Sequence, residues 1–174
     1  MASSLRRQAL RIFRAALKAA APQRAVRNHL RLSGDVLAAG RKRYQLAKFR
    51  NIYVIGAGKA SVEMACAVER LLGKRIRGGL INTKYGHGAP APRRIEVNEC
   101  GHPVPDARGE QGAARIAEIA RQAEAQDLLI CLISSMLSLR PGTTRFTSSV
   151  NLLFAFKIFS VESMSCSLQP TVFL

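Results

Sequence analysis

Apolar positions along this chain follow two periods. Residues 52–55 and 128–133 are continuous apolar runs, the pattern of strands buried on both faces of a parallel sheet. Shorter runs at 79–82 and 95–99 read as two more strands. Between the strands the spacing becomes helical. Ala60, Met64, Ala65, Val68 and Leu71 share one side of a helix over 60–72, Glu63, Glu69 and Arg70 fall largely on the other, and Gly73 ends it. A second helix over 109–125 sets Ala113, Ile116, Ala117 and Ala120 against Glu110, Arg115, Glu118, Arg121 and Glu124. Strands alternating with helices predict an α/β fold, an incomplete doubly wound and mostly parallel sheet with flanking helices. Right-handed crossovers would gather the turn after residue 55, the segment 84–88 and the loop at Gly101 along the carboxyl edge, where such sheets bind ligands.

The two ends of the chain depart from this pattern. Leu5, Ala9, Ile12, Phe13, Ala16, Leu17 and Ala20 line one face of an N-terminal helix, and Arg7, Arg11, Arg14 and Lys18 line another. Ser3 or Ser4 can cap it, and Pro22 stops it. An Arg-rich, acid-free amphipathic helix also describes a mitochondrial transit peptide, so a mitochondrial address stands beside the favoured reading of a retained structural helix. From residue 135 the chain is rich in Ser, Thr, Phe and Leu and holds no sustained period. We divide it into a partial domain, 1–134, and a tail, 135–174, expected to be disordered or poorly packed. An out-of-frame or alternatively spliced end would look like this, and so would a divergent terminus. The tail's apolar patch at 150–159 is interrupted by Lys157 and falls far short of the roughly 18 residues that span a bilayer. It reads as an aggregation hazard beside a last parallel strand, 128–133, left as an exposed edge.

Composition narrows the function classes. A chain of 174 residues can bury one ordinary core. Its net charge of +16 belongs mainly to residues 1–50, with 13 basic residues and 1 acid, whereas 51–134 carry 11 and 9. No zinc-finger spacing, RNA-binding signature or aromatic platform accompanies that charge, which argues against specific nucleic-acid binding. A non-enzymatic protein using its basic helix on anionic partners remains an alternative. Cys66, Cys100, Cys131 and Cys166 show no paired or metal-ligand spacing. They read as free thiols in a reducing, cytoplasmic compartment, with no metal site.

The candidate chemistry starts at Gly56-Ala57-Gly58-Lys59-Ala60, a strand-to-helix turn that points backbone amides, a helix dipole and the Lys59 charge at one place. A solvated lysine beside a tight turn is the bland reading; a phosphate or carboxylate site is the sharper one. Ser61 stands at the third position of a dinucleotide fingerprint, and Asn82-Thr83-Lys84 offers no acid for a ribose, which counts against a nicotinamide-dependent hydroxypyruvate reductase. A Walker A loop fails on spacing and on its missing hydroxyl. Gly101-His102-Pro103-Val104-Pro105-Asp106 forms a rigid loop between strand and helix. Asp106 reads first as a helix cap and His102 as either a loop histidine or a ligand contact.

In order and spacing, the Gly56–Ser61 turn, Thr83-Lys84-Tyr85-Gly86, the Gly101–Asp106 loop and the strand ending at Ser134 resemble the start of the glycerate 2-kinases, whose second domain is called MOFRL. The resemblance implies a Rossmann-like N-terminal domain, ATP and Mg2+ as cofactors, D-glycerate as substrate and 2-phosphoglycerate as product. It makes Lys59 a candidate catalytic contact to phosphate or to the substrate carboxylate. After Ser134 the resemblance breaks. The family continues into Ser-Gly-Gly-Gly-Ser-Ala-Leu, whereas Ser135-Met136-Leu137-Ser138 offers no glycine for close approach to a phosphate. The expectation is therefore the right family without activity in this chain, and no cofactor bound productively.

Overall fold

The structure, a computed structural model, describes residues 2–134 and 154–160. In chain order these form α1 (Ala2–Ala19), α2 (Pro22–His29), β1 (Leu30–Ser33), β2 (Val36–Ala39), β3 (Lys42–Gln45), β4 (Asn51–Ala57), α3 (Ser61–Leu72), β5 (Ile76–Lys84), β6 (Glu96–Cys100), α4 (Ala107–Gln122), β7 (Asp127–Ser134) and β8 (Phe154–Ser160). The larger sheet has the order β6-β5-β4-β7-β8, and β1-β2-β3 make a separate meander. Strands β6, β5, β4 and β7 run parallel to one another, as the apolar runs predict. The connection β4-α3-β5 moves one way across the sheet and β6-α4-β7 the other. With right-handed crossovers, α3 and α4 therefore cover opposite faces.

The α3 face carries the main core. Val54, Met64, Ala65, Val68, Ile76, Ile81 and Ile130 are buried there with Val26, Leu30 and Leu37 from α2 and the meander. Helix α3 is consequently buried on most of its circumference, and Val62, Cys66 and Ala67 join the predicted stripe. On α4 the periodic alanines mislead. Ala113 and Ala117 are exposed, and the helix approaches through buried Gly112, where a Cβ would collide with the Asn82 side chain. Removing one methyl lets the helix come close enough for Asn82 Nδ2 to donate to the Gly109 carbonyl at 3.1 Å.

The meander and α2 have no counterpart in the predicted elements. Four-residue strands exposed on one face carry too few apolar residues to register as a period. The turns were nevertheless encoded, since Gly34 (φ 55°) and Gly40 (φ 57°) each occupy the first position of a two-residue hairpin turn. Pro22 ends α1 and also opens α2, a position where its missing N–H costs nothing. Helix α1 forms as predicted, yet Leu5, Ile12, Phe13 and Leu17 on its apolar face are 57–71% exposed.

One expectation is overturned at the far side of the sheet. Strand β7 is not an edge, because β8 pairs with it antiparallel over its whole length, from Leu128↔Ser160 to Ser134↔Phe154. Seven backbone-paired residues cover the β7 edge, and β8 takes its place as the edge of the sheet. The rest of the expected tail, 135–153 and 161–174, lies outside the described residues.

The closest approach in the core involves Gly79 of β5, where a Cβ would overlap the Val54 carbonyl of β4. At neighbouring Gly78 an added Cβ meets nothing within 4 Å. Gly79→Ala is expected to lower unfolding free energy by about 3 kcal/mol or more, whereas Gly78→Ala changes it by less than about 1 kcal/mol. Urea titrations of both variants would show this, and equal midpoints would contradict the packing.

Candidate glycine-turn site at the carboxyl edge

The parallel register brings the ends of four strands together. Ala57 lies beside Asn82 on one side and Ile133 on the other, and Asn82 and Lys84 lie beside Asn98 and Cys100. Chain connections reverse direction between β4 and β7, and doubly wound sheets open a ligand crevice at such a point. Two residues meet there. Gly58 has φ 119°, and a Cβ on it would fall on the carbonyl oxygen of Ser134. From the same serine, Oγ accepts the amide of Ala60 at 3.3 Å. Accepting through Oγ leaves the Ser134 hydroxyl proton free to donate to another acceptor.

The turn is internally tied. Gly58 N–H donates to Asn82 O at 3.0 Å, and Ser61 N–H donates to Gly58 O at 3.2 Å. Buried Ser61 and Thr83 also donate their hydroxyls to that carbonyl, Thr83 at 3.2 Å. These bonds explain why a serine fits where a dinucleotide fold favours glycine or alanine. They also correct the picture of a turn whose amides all await a ligand, since those of Gly58, Ala60 and Ser61 have partners. What remains for an anion is exposed Lys59, the Ser134 hydroxyl and the amino end of α3, which no side chain caps. Ala57 completes the turn as the last residue of β4.

His102 and Asp106 belong to a second cluster over the ends of β5 and β6. Strand spacing sets the end of β6 about 10 Å from that of β4, so the sheet does not bring Asp106 onto the Lys59 turn. Asp106 caps α4, its Oδ1 accepting the Gly109 amide at 2.9 Å. Its Oδ2 accepts the Tyr85 hydroxyl at 2.7 Å, and the Arg108 guanidinium lies 5.7 Å from the centre of the Tyr85 ring. The Tyr85 hydrogen bond, then the amides of Gly109 and Gly101, hold the Asp106 carboxyl below its ordinary value, while the same bond raises the Tyr85 phenol. His102 is exposed in the loop, joined to Pro103 by a cis peptide bond. Nearby, Glu99 Oε1 accepts the amides of His87 at 3.1 Å and Gly88 at 2.8 Å, so the segment after β5 is pinned to β6.

Other candidate chemistry is accounted for by packing. Cys66 and Cys100 donate to the carbonyls of Pro90 and Thr83, at 3.2 and 3.3 Å, and burial pushes both thiols up. Cys66, Cys100 and Cys131 form no disulfide among the described residues, and Cys166 lies outside them. Beside the turn, the end of β5 carries Asn82, Thr83 and Lys84, and the Asn82 side chain is bound to Asn98 and Gly109. Sequence reasoning treated Ser134 only as the end of the resemblance. Its part in the site follows from register, which a single strand does not display.

Comparison with known proteins gives this geometry a family. Residues 8–138 match the model of a family described as a domain of unknown function, DUF4147. The chain belongs to that family. The DUF4147 match begins inside α1, which makes the helix part of the family domain. The chain is 38% identical over 134 residues to a glycerate 2-kinase from Pyrococcus horikoshii, covering 77% of this chain and 29% of the relative. A D-glycerate 2-kinase from Thermotoga maritima is 33% identical over 132 residues, covering 75% and 28%. The chain thus spans less than a third of the length of these relatives. A crystal structure of a Pyrococcus horikoshii protein superposes with a TM-score of 0.63 at 38% identity, covering 72% of this chain and 28% of that one. The resemblance read from four motifs and the α/β fold are both borne out. Among the described residues, no helix is long and apolar enough to cross a membrane.

The Asp106 cap gives a pH-dependent expectation. Its folded pKa lies below the ordinary 3.8, so its stabilisation is complete above that value and is lost as pH falls through the folded one. Asp106→Ala should lower the thermal midpoint at neutral pH, and the gap to wild type should narrow as pH falls below 3.8. A gap that stays constant on acidification would show that the carboxylate charge contributes nothing.

Proposed function

We propose that this domain supplies the phosphate-facing edge of a glycerate 2-kinase, whose family reaction converts ATP and D-glycerate to ADP and 2-phosphoglycerate. The observation that carries the reading is the meeting of the Gly58-Lys59 turn with Ser134 at the switch point of the sheet. A lysine, a hydroxyl and a helix amino end suit phosphate or carboxylate oxygens, and the absence of a Cβ at Gly58 lets the turn lie against the Ser134 carbonyl. This donor set does not suit a bare divalent cation. Among the described residues there is no cluster of carboxylates, histidines and thiols to hold one. Magnesium would therefore arrive on the nucleotide phosphates or be held by residues outside those described.

When bound, ATP supplies the phosphoryl group and magnesium screens its charge. Lys59 holds one anionic oxygen in place, and the Ser134 hydroxyl donates to a second while fixing the Ala60 amide. Positioning and charge neutralisation are the work such a transfer asks of the protein. The carboxyl-free end of β5 removes the ribose partner that a nicotinamide-dependent reductase needs, so the kinase reading is preferred. Cys66 and Cys100, whose thiols donate to backbone carbonyls, fit a reducing compartment such as the cytoplasm.

We further propose that this chain alone does not turn over. The segment 135–138 lacks the glycines of the resembled family, which a close approach to phosphate needs. With ATP, D-glycerate and Mg2+ the purified chain should form no 2-phosphoglycerate, yet ATP should shift the amide resonances of Gly58 to Ser61. Lys59→Ala should weaken that binding about tenfold or more, as expected for one charge-assisted hydrogen bond. Undiminished affinity in a folded Lys59→Ala variant would remove Lys59 from the site. Measurable product would refute inactivity.

A further inference from the structure

A concavity lies away from the glycine turn, on the outer face of the meander. Its volume is about 630 Å³, and Asn28, Arg31, Ser33, Ala38 and Arg43 contribute to its lining. The register shows how it is built. Arg31 pairs with Ala38, and Ala38 pairs with Arg43, so the three form one row across three strands and project from the same face. The other face, with Leu30, Leu37 and Tyr44, packs into the core. Two strand spacings separate the arginines by roughly 10 Å at their Cα atoms. Two long guanidinium side chains thus rise on either side of an alanine, which leaves the floor between them open.

The charge of this groove is uncompensated. Asp35 is the sole acid among residues 1–50, and it is bound to Arg75 at 2.5 Å. Neither Arg31 nor Arg43 takes part in an ion pair among the described residues, in contrast to Arg50, Arg75, Arg115 and Arg121. Guanidinium forks match phosphate oxygens in geometry as well as charge. Asn28 and Ser33 add neutral donors on the rim.

We propose that this groove is an anion site separate from the glycine turn, taking the phosphate monoester of a small organic molecule between Arg31 and Arg43. Its volume falls within the range of small-molecule sites and exceeds what a bare phosphate would fill. His29 also lines it, its Nδ1 held 2.9 Å from the Ala25 carbonyl, and no Phe, Tyr or Trp does, so the broad stacking platform that nucleic-acid bases use is missing there.

The test is calorimetric titration of the full chain with ribose 5-phosphate and, separately, with inorganic phosphate at fixed ionic strength. The ester should bind more tightly than inorganic phosphate. Arg31→Gln and Arg43→Gln should each weaken it about tenfold, while Arg14→Gln on α1 and Lys59→Ala leave it unchanged. Circular dichroism identical to wild type would establish that both variants remain folded, as expected for exposed positions. Three outcomes overturn the proposal: no binding, equal losses at Arg14 and Arg31, which would mark a diffuse charge effect, or a single-stranded oligonucleotide that competes at lower concentration than the ester. Loss in Lys59→Ala alone would also overturn it by moving the ligand to the glycine turn, and would leave the kinase reading standing.

Discussion

Three glycines let the central strands carry their neighbours at the observed distance. A methyl group on Gly56 would strike the Leu132 carbonyl, one on Gly58 the Ser134 carbonyl, and one on Gly79 the Val54 carbonyl. Each obstacle is backbone, which cannot swing aside as a side chain can. The spacing between β4, β5 and β7 thus depends on the absence of three Cβ atoms, and the geometry of the crevice follows. If β7 were displaced, Ser134 Oγ would leave the Ala60 amide and the turn would lose its lateral support.

The same economy of space organises the other face. Gly112 lets α4 settle onto Asn82, and Asn82 then accepts from Asn98 Nδ2 at 2.9 Å while donating to Gly109. These amides join β5, β6 and the first turn of α4. Asp106 and Tyr85 extend the connection into the loop beyond. The carboxyl edge consequently has two rigid stations, one between β4 and β7 and another over β5 and β6. Rigid scaffolds that present adjacent loops are the usual support for ligand chemistry.

The sequence made β4 and β7 legible because strands covered on both faces are apolar without interruption. It made α3 and α4 legible through their solvent-facing charges. Less visible were features that depend on a single face or on backbone atoms. Strands β1 and β2 each bury one side chain and β3 only half-buries Tyr44, which is below the resolution of any period. The α4 face was misassigned because periodicity counts alanine as core and gives glycine no weight, although Gly112 makes the contact. Lys59 stood out in the chain by its charge, whereas Ser134 contributes through a carbonyl and a hydroxyl whose neighbours are set 74–76 residues away. Strand β8 was obscured by Lys157, and pairing with β7 is a tertiary choice that alternation alone does not encode.

The encounter of Gly58 with Ser134 also governs how these positions can drift. Any residue at 134 carries the same carbonyl, so whatever side chain evolution places there, position 58 remains confined to glycine while the strand spacing is kept. Position 134 answers to a different demand, a hydroxyl within reach of the Ala60 amide, which threonine could also meet. One partner is therefore frozen and the other free to vary within a chemical class, and their substitutions need not be correlated. A search for co-varying pairs among relatives would be blind to this approach, since a frozen column carries no covariance however intimate its contact.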